Sequence, residues 1–167
     1  MGRKKNKLVK KAVNFYKYVF KFDPPFNVIL DGNFIAVAKK KKLDIKEIIQ
    51  KILDEKVYLV ITSCIVNEIR EFENKMPGLL DLIMNYKIEE CNHKETTPET
   101  CIKSMIGHKN KKKYFVATQD IMLKNQLRRI IAVPLLFFDQ NMLLIEKPSK
   151  ITMESYEKVN SLNYEKF

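Results

Sequence analysis

Glycine is scarce in this chain, at four of 167 residues, and tryptophan is missing altogether. Neither G-x-G-x-x-G nor G-x-x-x-x-G-K-[ST] occurs, so the backbone cradles for a dinucleotide or a nucleoside triphosphate are lacking. Two histidines and no G-x-S-x-G leave a serine hydrolase without its parts. The longest apolar run, IIAVPLLFF, is too short to span a bilayer and is broken by proline. No charged start leads into an apolar leader segment, and MGRKKN lacks the Ser or Thr of a myristoylation site. A soluble, intracellular protein is expected. Acid is the scarcer charge: 20 Asp and Glu face 31 Lys and Arg, a formal net charge of +11. That excess favours a polyanionic partner such as nucleic acid or an acidic membrane surface.

The hydrophobic content of 46% in 167 residues can bury one full core, so a single domain with short extensions is expected. Residues 1–22 hold eight basic side chains and no acid. They read as a basic N-terminal arm and helix, with the first six or seven residues free. KLVKKAVNFYKYVF places Leu8, Ala12, Phe15 and Val19 at helical spacing. Residues 23–149 form the domain proper, and 150–167 a short C-terminal tail. The arm residues Arg3, Lys4, Lys5 and Lys7, the run Lys39, Lys40, Lys41 and Lys42, and the run Lys111, Lys112 and Lys113 are candidate RNA contacts. Both runs are expected in loops, and any one of them could equally be a solvated face.

Strand and helix alternate through the domain. FNVIL precedes Asp31; DIKEIIQKIL follows as a helix capped by Asp44, with Glu47 at the capping-box position. Next come the strand VYLVIT, a helix from Ser63, a second helix opened by Pro77, and a short strand at YKIE. Pro98 sits in a first helical turn, YFVAT is a strand, and a helix then leads to VPLLFF. Continuous apolar strands between helices predict an α/β fold, a three-layer α/β/α sandwich around a central parallel sheet.

Ligands bind such sheets beyond the carboxyl ends of the strands, and the acids fall there. Asp31 ends the first strand, Asp120 follows YFVATQ, and Glu68 and Glu99 lie in flanking helices. Clustered carboxylates suit Mg²⁺ or Mn²⁺, and two such ions can drive phosphodiester cleavage. The same residues also suit a plainer role. Asp31 and Asp120 stand where helices are capped, and Glu68 and Glu99 are first-turn acids that favour the helix dipole. Cys64, Cys91, His93 and Cys101 offer the four ligands of a tetrahedral, structural Zn²⁺, although free cysteines are often just small buried hydrophobes. His108, beside Gly107 and a lysine run, reads as a loop residue that could touch phosphate.

VILDGNF, ITSCIVNEI, YFVATQD and VPLLFF, in this order, resemble a PIN domain of the small-subunit-processome type. Two sister families share the layout, the FCF-one family and the rRNA-processing family called U three protein twenty-three. LDGNF, the glutamine of ATQD and the trailing QNMLLIEKPS are more similar to the latter. The resemblance implies a PIN-like fold, a nuclear and nucleolar location, no membrane, and partners among pre-rRNA, snoRNA and other processome proteins. It implies a zinc-bound C-x-H at Cys91 and His93, with Cys64 and Cys101 completing the set. Asp31, Glu68 and Asp120 match three acids of the PIN nuclease site. The fourth departs: an acid directly precedes the matched cysteine in both families, whereas here Thr100 does and Glu99 is one place earlier. One residue on a helix is a rotation of about 100°. A non-catalytic RNA-binding scaffold is therefore expected, with a metal-dependent endoribonuclease using Asp31, Glu68 and Asp120 as the alternative.

Overall fold

A six-stranded sheet in the order β3-β2-β1-β4-β5-β6 organises the chain in the computed structural model. Residues 3–164 are described, except 92, 94 and 95, and the side chains of 3–6 and 162–164 also lie outside the description. The strands are β1 (Phe26–Leu30), β2 (Val57–Thr62), β3 (Lys87–Glu89), β4 (Phe115–Ala117), β5 (Leu135–Asp139) and β6 (Met142–Ile145). All neighbours pair in parallel except β5 and β6, whose hairpin register runs from Leu136 opposite Ile145 to Asp139 opposite Met142. The sheet is thus mostly parallel, with an antiparallel edge added by MLLI. The eight helices among the described residues are α1 (Arg3–Val19), α2 (Gly32–Lys40), α3 (Ile45–Leu53), α4 (Ser63–Phe72), α5 (Leu79–Ile83), α6 (Pro98–Ile106), α7 (Ile121–Leu127) and α8 (Lys150–Tyr164). None is long and apolar enough to cross a membrane.

Local chemistry accounts for most boundaries. Asp44 caps α3 by accepting from the Glu47 N–H at 2.9 Å, as the sequence predicts. Thr62 caps α4 through the Ile65 N–H, and Thr97 caps α6 through the Thr100 N–H, with Pro98 in the first turn. Val28, Ile29 and Leu30 are fully buried, as a central parallel strand requires. Order reverses between β1 and β4: the chain steps outward from β1 to β2 and β3, then returns to the other side. The crevice at such a reversal lies beyond the carboxyl ends of the strands. Asp31 and the 118–120 segment stand there.

Five expectations need correction. The segment read as a free arm is helical from Arg3. Its buried stripe is Val9, Ala12, Val13 and Tyr16, while Leu8 is exposed. Adjacent apolar residues differ by about 100° around a helix, so the spacing fit both stripes and the packing partner chose one. Pro77 does not open a helix; α5 starts at Leu79, because Gly78 takes a left-handed N-cap conformation first. The 39–42 run is only partly loop, since Lys39 and Lys40 end α2. Residues 150–164 form α8, whose buried Thr152 hydroxyl accepts from the Ala132 N–H at 3.0 Å. Tyr156 of that helix packs edge-on against Phe15.

Candidate functional site

Asp31 continues the backbone of β1, donating its N–H to the Ala117 carbonyl at 3.0 Å. Its position is the N-cap of α2, yet its side chain caps nothing. Only 2% exposed, the carboxylate instead accepts from the Thr118 hydroxyl at 2.7 Å. Burial pushes its pKa up to about 6, opposed by the Thr118 hydrogen bond and reinforced by the Glu99 and Asp120 charges. The plain capping role is therefore wrong for Asp31.

For Asp120 the capping role is right. Its Oδ1 accepts from the Met122 and Leu123 N–H groups at 2.7 and 3.1 Å. Its own N–H donates to the Thr118 hydroxyl at 3.0 Å. Glu68, on α4, points inward, and its Oε2 is buried with no hydrogen-bond partner among the described residues. Burial raises its pKa to about 7, and the charges of Asp31 and Glu99 push the same way. Gly32 leaves the space for it: a Cβ there would collide with the Glu68 carboxylate. Glu99, half-buried in the first turn of α6, stands near enough for its charge to act on both Asp31 and Glu68.

The topology thus gathers Asp31, Glu68, Glu99 and Asp120 on one rim. An orphaned carboxylate oxygen, beside others that raise its pKa, is a donor set suited to a hard divalent cation. The fit is loose. Among the described residues the carboxylates form no group of three close enough to share a metal ion as they stand. Two contributors were not among the site residues expected from the sequence, although the glutamine marked the family resemblance. Thr118 joins Asp31 to the Asp120 backbone, and Gln119 donates to the Phe138 carbonyl and accepts from the Phe138 N–H, at 3.1 and 2.6 Å, fastening β5 beside the rim. The polar TQD following a buried strand was the available signal.

Behind the rim, Cys64 at the start of α4, Cys91 after β3 and Cys101 in α6 bring their sulfurs within 4.8 Å of one another. Cys64 and Cys91 are 3.4 Å apart, too far for a disulfide. Tetrahedral Zn²⁺ with bonds of about 2.3 Å places its thiolates about 3.8 Å apart. The three close cysteines could therefore hold a metal ion. His93 is exposed and stands outside the group. Burial pushes the Cys101 thiol up to about 12, so a bound cation would have to displace its proton.

The basic candidates are dispersed. The side chains of Arg3, Lys4 and Lys5 lie outside the described residues, and Lys7 is exposed on α1. Lys41 donates to Asn141 at 2.7 Å. The 107–114 loop enters β4 at its amino end, so Lys111, Lys112 and Lys113 lie at the edge of the sheet opposite the acids. Buried Asn110 shapes that loop through bonds to Tyr114 and Ala132, and Lys113 donates to the Lys21 carbonyl.

Comparison with known proteins agrees with this geometry. The Fcf1 family model matches residues 51–147. The rRNA-processing protein utp23 of Schizosaccharomyces pombe is 26% identical over 157 residues, covering 92% of this chain. The chain spans 60% of the length of that relative. The rRNA-processing protein FCF1 of Saccharomyces cerevisiae is 32% identical over 136 residues, covering 80% of this chain and 70% of that protein. Its Homo sapiens homolog is 30% identical over 135 residues, covering 80% and 67%. Among solved structures, that of the PIN domain endonuclease Utp24 superposes with a TM-score of 0.66 at 30% identity, covering 75% of this chain and 94% of that one. A family model matched over more than half of the chain and a PIN domain superposed at 30% identity lead to one conclusion: the chain belongs to the Fcf1 family and carries a PIN-domain fold.

Proposed function

We propose that the protein is a ribosome-biogenesis factor of the small-subunit processome, binding pre-rRNA and snoRNA as a non-catalytic PIN-domain scaffold. The names of its relatives, rRNA-processing proteins, support the RNA, the nucleolar location in the nucleus, and partners among other processome proteins. One observation carries the scaffold reading: the four rim acids do not close on a common point. Asp120 spends one oxygen capping α7, and Thr100 stands where a fourth acid is expected. Catalytic sites depend on ligands held within about half an ångström. The thiol cluster, by this reading, holds one structural Zn²⁺ that ties α4 to α6, and His93, which stands outside the three sulfurs here, would swing in as the fourth ligand when the ion binds. The lysines on α1, at 39–42 and at 111–113 contact phosphates with little sequence preference.

A second reading is favoured by the orphaned Glu68 oxygen and by a relative titled an endonuclease. Here Asp31, Glu68 and Asp120 hold Mg²⁺ or Mn²⁺, with Glu99 alongside. Such ions supply an activated water and stabilise the leaving oxygen. The chain's own residues would orient the scissile phosphate at the rim, with Thr118 fixing Asp31. Cleavage of a single-stranded RNA by wild type, Asp31→Asn and Asp120→Asn tests the choice. Asparagine caps helices about as well as aspartate, so Asp120→Asn should keep α7. No metal-dependent cutting by wild type is expected. Manganese-dependent cutting that disappears in both variants would overturn the scaffold reading.

A further inference from the structure

Two helices leave the rim side by side. Helix α6 carries the chain from the carboxyl edge of the sheet back to the amino end of β4, and α7 leads away from Asp120 in the same sense. Between them lies an open groove of about 570 Å³. Thr100, Lys103, Ser104 and His108 line one side, and Gln126 and Arg129 the other. No acid lines it, and the apolar part of its wall comes from Ile130 and the carbon stems of its polar and basic side chains.

The charges here are uncommitted. Arg128 is consumed by the fold, holding Glu146 through two hydrogen bonds at 2.9 and 2.7 Å. Its neighbour Arg129 is exposed and faces the groove. Among the described residues neither Arg129 nor Lys103 pairs with a carboxylate, in contrast to Lys124, Lys87 and Lys17. Two free cations, a histidine and the donors of Thr100, Ser104 and Gln126 share one trough. Thr100, next in sequence to Glu99, marks the end toward the rim; the other end opens at Gly107 and His108, where the exposed Lys109, Lys111 and Lys112 follow.

We propose that this groove is a channel for the phosphates of single-stranded RNA, joining the acidic rim to the lysines of the 109–112 loop. The proposal rests on the RNA-binding reading above and gives it a path. Charge complementarity selects a polyanion. A trough of about 570 Å³ has room for a short stretch of one backbone and none for a duplex. A protein partner would have to bring acidic side chains to match Lys103 and Arg129, and that competing outcome is separated by the test below. The lysine loop, remote from the acids in the fold, thereby becomes part of one continuous surface with them.

Anisotropy of a fluorescein-labelled single-stranded RNA across a potassium chloride series tests the channel. The double variant Lys103→Ala, Arg129→Ala should lower the slope of log affinity against log salt by about 1.4, at about 0.7 per phosphate contact. The pair Lys46→Ala, Lys51→Ala removes the same charge from exposed positions on α3 and should change the slope by less than one contact. Should the double variant melt early, Lys103→Gln, Arg129→Gln keeps more of each side-chain stem and serves in its place. An unchanged slope in the groove variant, or one no smaller than in the control pair, overturns the channel and leaves RNA binding standing. Wild type that binds no RNA at low salt overturns both. Groove variants that lose a polyglutamate peptide while keeping RNA would also overturn it, making the trough a protein contact.

Discussion

The Thr118 hydroxyl donates to Asp31 Oδ2 at 2.7 Å while accepting the Asp120 N–H at 3.0 Å. One fully buried side chain thus fixes the acid that ends β1 and the backbone that opens α7. Asp31 is itself buried, so no water replaces a lost donor cheaply. Thr118→Val keeps the branched shape and removes the hydroxyl. A hydrogen bond to a charged group contributes about 1.5–3 kcal/mol, and a loss of that size is expected by urea unfolding at pH 7. Thr118→Ser should recover most of it. Equal stability of the two variants would mean that the hydroxyl is dispensable.

The rim makes stability fall as pH rises. Asp31 and Glu68 have folded pKa values of about 6 and about 7, above their ordinary values of 3.8 and 4.5. The folded state therefore binds more protons than the unfolded chain between about pH 4 and pH 7. Their contribution is fully present below pH 4 and is lost as pH climbs through 6 and 7. Glu68→Gln should flatten this part of the profile and raise Tm at pH 8, as relief of like charge predicts. Added Mn²⁺ should raise the wild-type Tm at pH 8 more than that of the variant if the rim holds the ion. A wild-type Tm that climbs between pH 5 and pH 8, with Glu68→Gln parallel to it, contradicts the raised values.

Legibility followed how local each cause was. Helix α3 could be read from DIKE alone, since its cap and its stripe of Ile45, Ile49 and Leu53 are local. The rim could be read because parallel topology sends every strand end to one edge. Strand β6 was missed: MLLI pairs only with its hairpin partner β5, and nothing in the run marks it as an edge. Helix α8 was missed because its sequence is mostly polar and its anchor is a threonine bonded to Ala132. His93 shows a different limit. Spacing identifies residues able to ligate, but the direction of a side chain depends on backbone that spacing does not specify.

Zinc at the thiol cluster is expected to behave as folding free energy. Protein purified without added metal should contain one Zn per chain by elemental analysis. Cys91→Ser should lose the metal and lower Tm by about 5–10 °C, since each kcal/mol is worth about 2–4 °C in a chain of this size. His93→Ala should release zinc to a chelator faster than wild type, because the imidazole supplies the fourth ligand in this reading. Metal-free wild type with the same Tm as Cys91→Ser would reduce the cluster to three small side chains, of which Cys101 alone is fully buried.

Gly32 separates the fold from the use of the rim. It opens α2 and is not needed for a left-handed turn, so alanine there should gain up to about 1 kcal/mol of helix propensity. What glycine provides is room, since a Cβ would strike the Glu68 carboxylate. That carboxylate ends a flexible side chain and can swing away without moving backbone. Gly32→Ala should therefore leave stability within about 1 kcal/mol of wild type. It should also expel Glu68 from its buried seat and drop its pKa from about 7 toward 4.5, as loss of burial requires. Carbon-detected NMR titration of the glutamate carboxyls reads this directly, with Glu68→Gln identifying the resonance. A Glu68 that still titrates near 7 in the variant would show that the glycine is not its keeper. Any manganese-dependent effect, on Tm or on RNA, should vanish in Gly32→Ala although the protein stays folded. If that effect survives undiminished, Glu68 takes no part in holding the ion, and the rim would have to work through Asp31, Glu99 and Asp120 alone.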